Sequence, residues 1–136
     1  INFAIQHNRI DILEYFYSKN PEIFQIKHQS FIKIAIIKNF ENCVSFLISK
    51  NPNEPLRKRI IHRAINNDNL SIIKMLTKKI IKPDLSNFEY ALFLNRGNIL
   101  NFLLQFDDIK SAITEDQLKE ANKTIQQSMI DNIHDF

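Results

Sequence analysis

The apolar and polar positions of this chain repeat a single phrase. It is clearest from Ala35 to Pro52, AIIKNFENCVSFLISKNP, and it returns at Ala4, Ala64 and Ala91, with a worn copy at Ala121. Successive alanines stand 31, 29, 27 and 30 residues apart. Three places before each is an apolar residue: Ile1, Ile32, Ile61, Phe88 and Leu118. Four places after come Asn8, Asn39, Asp68 and Asn95, with Ile125 breaking the rule. At plus eight and plus nine are Ile12–Leu13, Cys43–Val44, Ile72–Ile73, Ile99–Leu100 and Met129–Ile130. At plus twelve are Phe16, Leu47, Leu76, Leu103 and Ile133.

Residues at minus three, zero and plus one share one face of a short helix. The set at plus eight, nine and twelve forms the inner stripe of a second helix. Between them the chain has to reverse, and Asn or Asp fills that slot. Their short polar side chains tolerate the left-handed conformation that closes a helix. The pattern therefore predicts an array of helical hairpins, each of two helices of roughly ten residues. Helices so short depend on stacking against neighbours.

Stops and starts are legible as well. Ser18-Lys19-Asn20-Pro21 and Ser49-Lys50-Asn51-Pro52 are the same terminator, with Asn expected in a left-handed cap and Pro unable to continue the helix. The third copy departs, running Lys79-Ile80-Ile81-Lys82-Pro83, so a different loop is expected there. Asn53-Glu54-Pro55 reads as a helix start, Thr114-Glu115-Asp116-Gln117 as a capping box, and Ser30 and Asp84 as further caps. Ile125 in the turn slot points to a last copy fused into one longer helix.

The spacing resembles the ankyrin repeat, whose second half reads Ala-Ala-x-x-Gly-x-x-x-Ile-Val-x-x-Leu-Leu-x-x-Gly. Ala35, Ile36, Asn39, Cys43, Val44, Leu47, Ile48 and Asn51 occupy those places in the second copy. Asn or Asp stands at most of the family's glycine positions. Ile61 and His62 match the Leu-His of the family's Thr-Pro-Leu-His motif, whose Thr-Pro half is absent. The repeats run shorter than the family's ~33 residues, so abbreviated hairpin loops are expected. Tetratricopeptide repeats fit less well, lacking their Trp/Gly/Tyr pattern, and HEAT units of ~40–47 residues are too long. The resemblance implies an all-α, right-handed ankyrin-like α-solenoid of four to five repeats, bounded near 1–26, 27–55, 56–83, 84–111 and 112–136. It is read as one domain. Ile1 already lies inside a repeat, so a longer parent chain is expected.

Composition adds exclusions. A single glycine, Gly97, cannot build a phosphate loop, a dinucleotide turn or glycine-dependent hairpins. A single cysteine, Cys43, excludes a disulfide framework and fits a reducing, cytoplasmic setting. It stands in a core column, which makes it packing rather than a nucleophile. No catalytic signature is present, so no enzyme activity, cofactor or metal is expected. His62 is expected to bond or pack at its helix start, and His7, His28 and His134 to lie on the surface. Phe3, Phe16, Phe31, Phe46, Phe88 and Phe102 are read as packing residues.

The charge of +3 gathers at Arg57, Lys58 and Arg59 and at Lys78, Lys79 and Lys82. These read first as solvated loops, and less readily as a nucleic-acid or anionic-lipid site. The resemblance implies that the two residues after each Ala-x pair face a concave groove. They are Gln6–His7, Ile37–Lys38, Asn66–Asn67, Phe93–Leu94 and Lys123–Thr124. Ile37, Phe93 and Leu94 are apolar where the pattern expects exposure, which marks an interaction surface unless neighbouring loops cover them. The site expected to bind a partner is Ile37, Lys38, Asn66, Asn67, Phe93 and Leu94. The function implied is non-catalytic protein–protein recognition or scaffolding, with a structural spacer or inter-domain packing segment as the alternative.

Overall fold

The computed structural model describes residues 1–78 and 81–134. Lys79 and Ile80, on which part of the departing third loop and of the second basic cluster falls, lie outside the described residues. The helices are α1 (Asn2–Gln6), α2 (Ile10–Lys19), α3 (Pro21–Ile26), α4 (His28–Ile37), α5 (Glu41–Lys50), α6 (Arg59–Asn66), α7 (Leu70–Thr77), α8 (Leu85–Phe93), α9 (Gly97–Leu103), α10 (Asp107–Ala112) and α11 (Glu115–His134). There is no strand among the described residues. The chain divides into two compact units, Ile1–Ile81 and Lys82–Phe136.

In the first unit α1–α2, α4–α5 and α6–α7 are the hairpins. The first helices stack as α1 on α4 on α6, and the second helices as α2 on α5 on α7. The core is the set of columns read from the sequence. Ala4, Ala35, Ala64, Ile5, Ile32, Ile36, Ile61, Ile65, Leu13, Val44, Leu47, Ile72, Ile73 and Leu76 are all buried. Each large aliphatic among them contributes about 1.5–3 kcal/mol through burial. In the second unit α8 and α9 form a hairpin, and α11 packs on both. Ala91, Phe88, Ile99, Leu100 and Leu103 are buried there beside Ala121 and Ile125 of α11.

Each hairpin reversal has the same backbone chemistry. Asn8, Asn39, Asp68 and Asn95 have φ of 54°, 63°, 53° and 57°. The N–H of the following residue donates to the carbonyl of the repeat alanine: Arg9 to Ala4 at 2.8 Å, Phe40 to Ala35 at 3.0 Å, Asn69 to Ala64 at 3.1 Å and Arg96 to Ala91 at 3.0 Å. The N–H of the Asn or Asp itself donates to the residue after the alanine. That pair of bonds is the Schellman closure, which satisfies carbonyls a helix end would leave orphaned. Side chains then tie one turn to the next. The Cys43 thiol donates to Asn8 Oδ1 (3.2 Å). Asn69 Nδ2 donates to Asn39 Oδ1 (2.6 Å) and to Glu41 Oε1 (3.1 Å).

Two caps stand as read. Asp84 and Asn87 form a reciprocal capping box on α8, and Thr114 and Gln117 form another at the start of α11. Other expectations are corrected. Asn20 and Asn51 are not left-handed; their φ values are −149° and −147°. The proline that follows each crowds its backbone and keeps it out of the helical region. Pro21 does more than stop α2, since it opens α3. Ser30 lies inside α4, which begins at His28. Asn53-Glu54-Pro55 starts no helix, and α6 begins at Arg59. Gln29 explains this by holding that stretch with two bonds: its Nε2 donates to the Pro55 carbonyl and its Oε1 accepts from the Arg57 N–H.

Phe3 (65% exposed) and Phe16 (37%) are not core residues. Phe3 stands one place before the alanine, about 100° around the helix from the buried face. In the first copy the aromatic packing shifts instead to Phe24 of α3, buried against the rings of Tyr17, Phe31 and Phe46. His28 is buried rather than on the surface; the side chain of His134 lies outside the description. In the fifth copy α11 runs straight through Ile125, which is buried. Without a reversal, Met129, Ile130 and Ile133 stay exposed instead of forming an inner stripe.

Gly97 owes its identity to space rather than to backbone conformation. A β-carbon there would lie 1.9 Å from Ser128 Oγ and 2.9 Å from the Thr124 carbonyl oxygen. The approach of α9 to α11 therefore requires glycine at this position.

Three outcomes are expected. Asn39→Gly should keep stability within about 1 kcal/mol, since relief of the left-handed backbone offsets the lost bond from Asn69. Asn39→Val should cost about 1–3 kcal/mol, and equal urea midpoints for the two variants would refute the turn assignment. Gly97→Ala should destabilise by about 1–3 kcal/mol, with Ser128→Gly restoring part; a wild-type melting curve for Gly97→Ala is the contrary result. Burial holds the His28 pKa below its ordinary value of 6.5, with the Glu54 carboxylate opposing. The unfolded chain then binds a proton that the folded chain refuses. The stability associated with neutral His28 is full above about pH 6.5 and falls as pH drops towards the folded pKa. Urea midpoints taken across that range should slope less in His28→Leu than in wild type; identical slopes would exclude His28 as the source.

Candidate functional site

A first helix that buries its minus-three, zero and plus-one positions turns its other side outward. On α4 that outer side carries Ser30, Lys33 and Ile37, spaced by three and four residues. On α6 it carries Arg59, Arg63 and Asn66. All six are exposed. Ile37 closes α4 with 45% of its surface exposed, and Lys38 follows it into solvent. Asn66 closes α6 and is exposed. Asn67 is half-buried, and its Nδ2 donates to the Ile36 carbonyl of the preceding repeat at 2.6 Å. It therefore clamps two hairpins together at the edge of this face. At α1, Gln6 and His7 are exposed, and the His7 ring lies 4.3 Å from that of Phe3. Phe3 thus belongs to the outer surface of the first unit.

In the second unit Phe93 closes α8 and is 80% exposed, while Leu94 is half-buried. Phe93 borders a cavity of about 410 Å³ between α8 and α11, with Glu89, Gln117 and Glu120 around it. Gln117 Nε2 donates to Glu89 Oε2 across that cavity at 3.4 Å. Lys123 is exposed and Thr124 half-buried within α11. The expected residues thus fall into two sets, Ile37, Lys38, Asn66 and Asn67 in one unit and Phe93 and Leu94 in the other.

Lys33, Arg63 and Gln29 went unremarked in the sequence. Together with Arg57 and Arg59 they line a cavity of about 320 Å³ between α4, α6 and the loop before α6. Lys33 and Arg63 stand two places and one place before their alanines, an outward register that was the available clue. Lys82 pairs with Asp108 at 2.7 Å, and that carboxylate raises the lysine's pKa.

Cys43 is buried, and burial raises its thiol pKa, so the thiolate a nucleophile requires is disfavoured. Among the described residues no three His, Cys, Asp or Glu side chains gather as a metal site. No helix among them is long and apolar enough to cross a membrane.

Stacked helical hairpins closed by left-handed turns define a helical repeat protein. A family model of ankyrin repeats, in three copies, matches residues 1–87, and the chain belongs to the ankyrin repeat family. Comparison with curated proteins and with solved structures gave no match.

Proposed function

We propose that this protein is a non-catalytic recognition module that binds another protein through the outer face of its first helices, the face the family makes concave. Ankyrin repeats are in general protein–protein interaction modules, and the family is typically non-enzymatic. The observation that carries the reading is the plus-two position. Ile37 and Phe93 occupy it in two copies and are 45% and 80% exposed. An apolar side chain held open to water at the same register in separate repeats has no packing role to explain it. Anchors of this kind, rimmed by polar residues, are what interfaces concentrate. In the first unit Lys38 and Asn66 stand beside Ile37, with Asn67 holding the backbone there; in the second unit Leu94 adjoins Phe93. The buried, unpaired Cys43 thiol accords with a reducing, cytoplasmic setting.

Ile37→Ser with Phe93→Ser should abolish capture of the partner from extracts of the native source. Both side chains are exposed, so stability should change by no more than about 0.5 kcal/mol, checked by thermal melting. Undiminished capture by the double variant would refute the face assignment. A wild-type chain that captures nothing above background would favour the spacer reading.

A further inference from the structure

We propose that the pocket between α4 and α6 docks an acidic, extended peptide segment of the partner, with Arg59 and Arg63 taking carboxylates two residues apart. The inference rests on the protein-recognition reading above and narrows the chemistry of the partner.

The pocket gathers Lys33, Arg57, Arg59 and Arg63 around a cavity of about 320 Å³. All four are exposed, and none forms an ion pair with a described carboxylate. Two cations elsewhere do have acidic partners: Arg9 pairs with Asp11 at 2.9 Å and Lys82 with Asp108 at 2.7 Å. Four like charges in one small concavity repel one another, and no ion pair with a described carboxylate offsets that cost. An anion from outside would.

The cluster is held ready. Gln29 bonds the loop on both sides of Leu56, at the Pro55 carbonyl and the Arg57 N–H, and Leu56 itself is buried. Arg57 is therefore presented from a pinned backbone, while Lys33, Arg59 and Arg63 rise from helices. Pre-organisation of this kind lowers the ordering cost of binding.

Spacing selects the ligand. Arg59 and Arg63 are one helical turn apart, about 6 Å along the axis. Alternate side chains of an extended peptide are about 6.6 Å apart on one side. A Glu-x-Glu or Asp-x-Asp segment therefore presents its carboxylates at the pitch of the two guanidinium forks, each suited to a bidentate pair. Lys33 approaches the same segment from α4, and Arg57 from the loop before α6. Ile37 follows Lys33 by one turn, so an apolar residue next to the acidic pair would reach it.

Nucleic acid fits less well. The lining has Ile60 but no aromatic ring on which a base would stack, the usual platform for single strands. The chain as a whole carries only +3.

The test is fluorescence anisotropy on the full chain with four labelled probes: a peptide alternating Glu and Ser, its Lys–Ser and Gln–Ser counterparts, and single-stranded DNA of matching charge. The Glu–Ser peptide should bind, more weakly as salt rises. Arg59→Glu with Arg63→Glu should weaken it by at least about tenfold, with the helical circular dichroism spectrum retained. Lys110→Glu with Lys119→Glu, an equal charge change on α10 and α11, should leave binding unchanged. Tighter binding of the DNA, lost in the same double variant, would overturn the acidic peptide in favour of nucleic acid. Equal binding of the Gln–Ser peptide, indifferent to Arg59 and Arg63, would overturn the acidic chemistry but leave peptide recognition standing. Should no peptide bind while native partner is still captured through Ile37 and Phe93, the inference fails and the recognition reading survives. If that capture is absent too, both fail.

Discussion

The architecture depends on a backbone held left-handed at four Asn or Asp residues. At each one the next N–H returns to the carbonyl of the repeat alanine, and this closes the first helix and aims the second back along it. Such a conformation costs an ordinary residue about 1–2 kcal/mol, and glycine would avoid the cost. Two of the four, Asn8 and Asn39, compensate with side chains that glycine lacks. Asn8 accepts from Cys43, and Asn39 accepts from Asn69. The substituents that replace glycine at the turns thus also register neighbouring repeats.

Because the turn fixes which way the hairpin folds, it also fixes which side of each first helix faces water. The alanine and its two apolar companions are committed to the stack. What is left over, Lys33 and Ile37 on α4 and Arg59, Arg63 and Asn66 on α6, forms a continuous outward row in the first unit. That row mixes an open isoleucine with unpaired cations, while the second unit presents Phe93 beside two glutamates. Recognition chemistry is carried by the same register that builds the core, one or two positions out of phase with it.

Where the turn residue is lost, the hairpin is lost. Ile125 occupies the slot in the last copy, and α11 continues through it as one helix. Its Ala121 and Ile125 are buried in the second unit, while Met129 and Ile130 remain open to water. A further constraint operates there, since the contact between α9 and α11 tolerates no β-carbon at Gly97. The only glycine in the chain serves close approach rather than a turn.

The repeat phase, the alanine, apolar and Asn columns, and two of the caps were legible in the sequence, because each depends on residues only a few places apart. Local sterics and helical periodicity determine such features without reference to the rest of the fold. Long-range neighbours decided the remainder. Phe24 became central, and Phe16 peripheral, once α3 filled the space where a hairpin loop was expected. His28 became buried, and the Asn53–Pro55 stretch became a loop pinned by a glutamine on another helix. Asn20 and Asn51 looked like the turn asparagines but keep negative φ, crowded by the prolines beside them. The cationic pocket joins Lys33 to Arg57, Arg59 and Arg63 across more than twenty residues, and no spacing rule announces it. The sequence alone determined where each helix turns; packing between repeats decided which of its outward residues stand together.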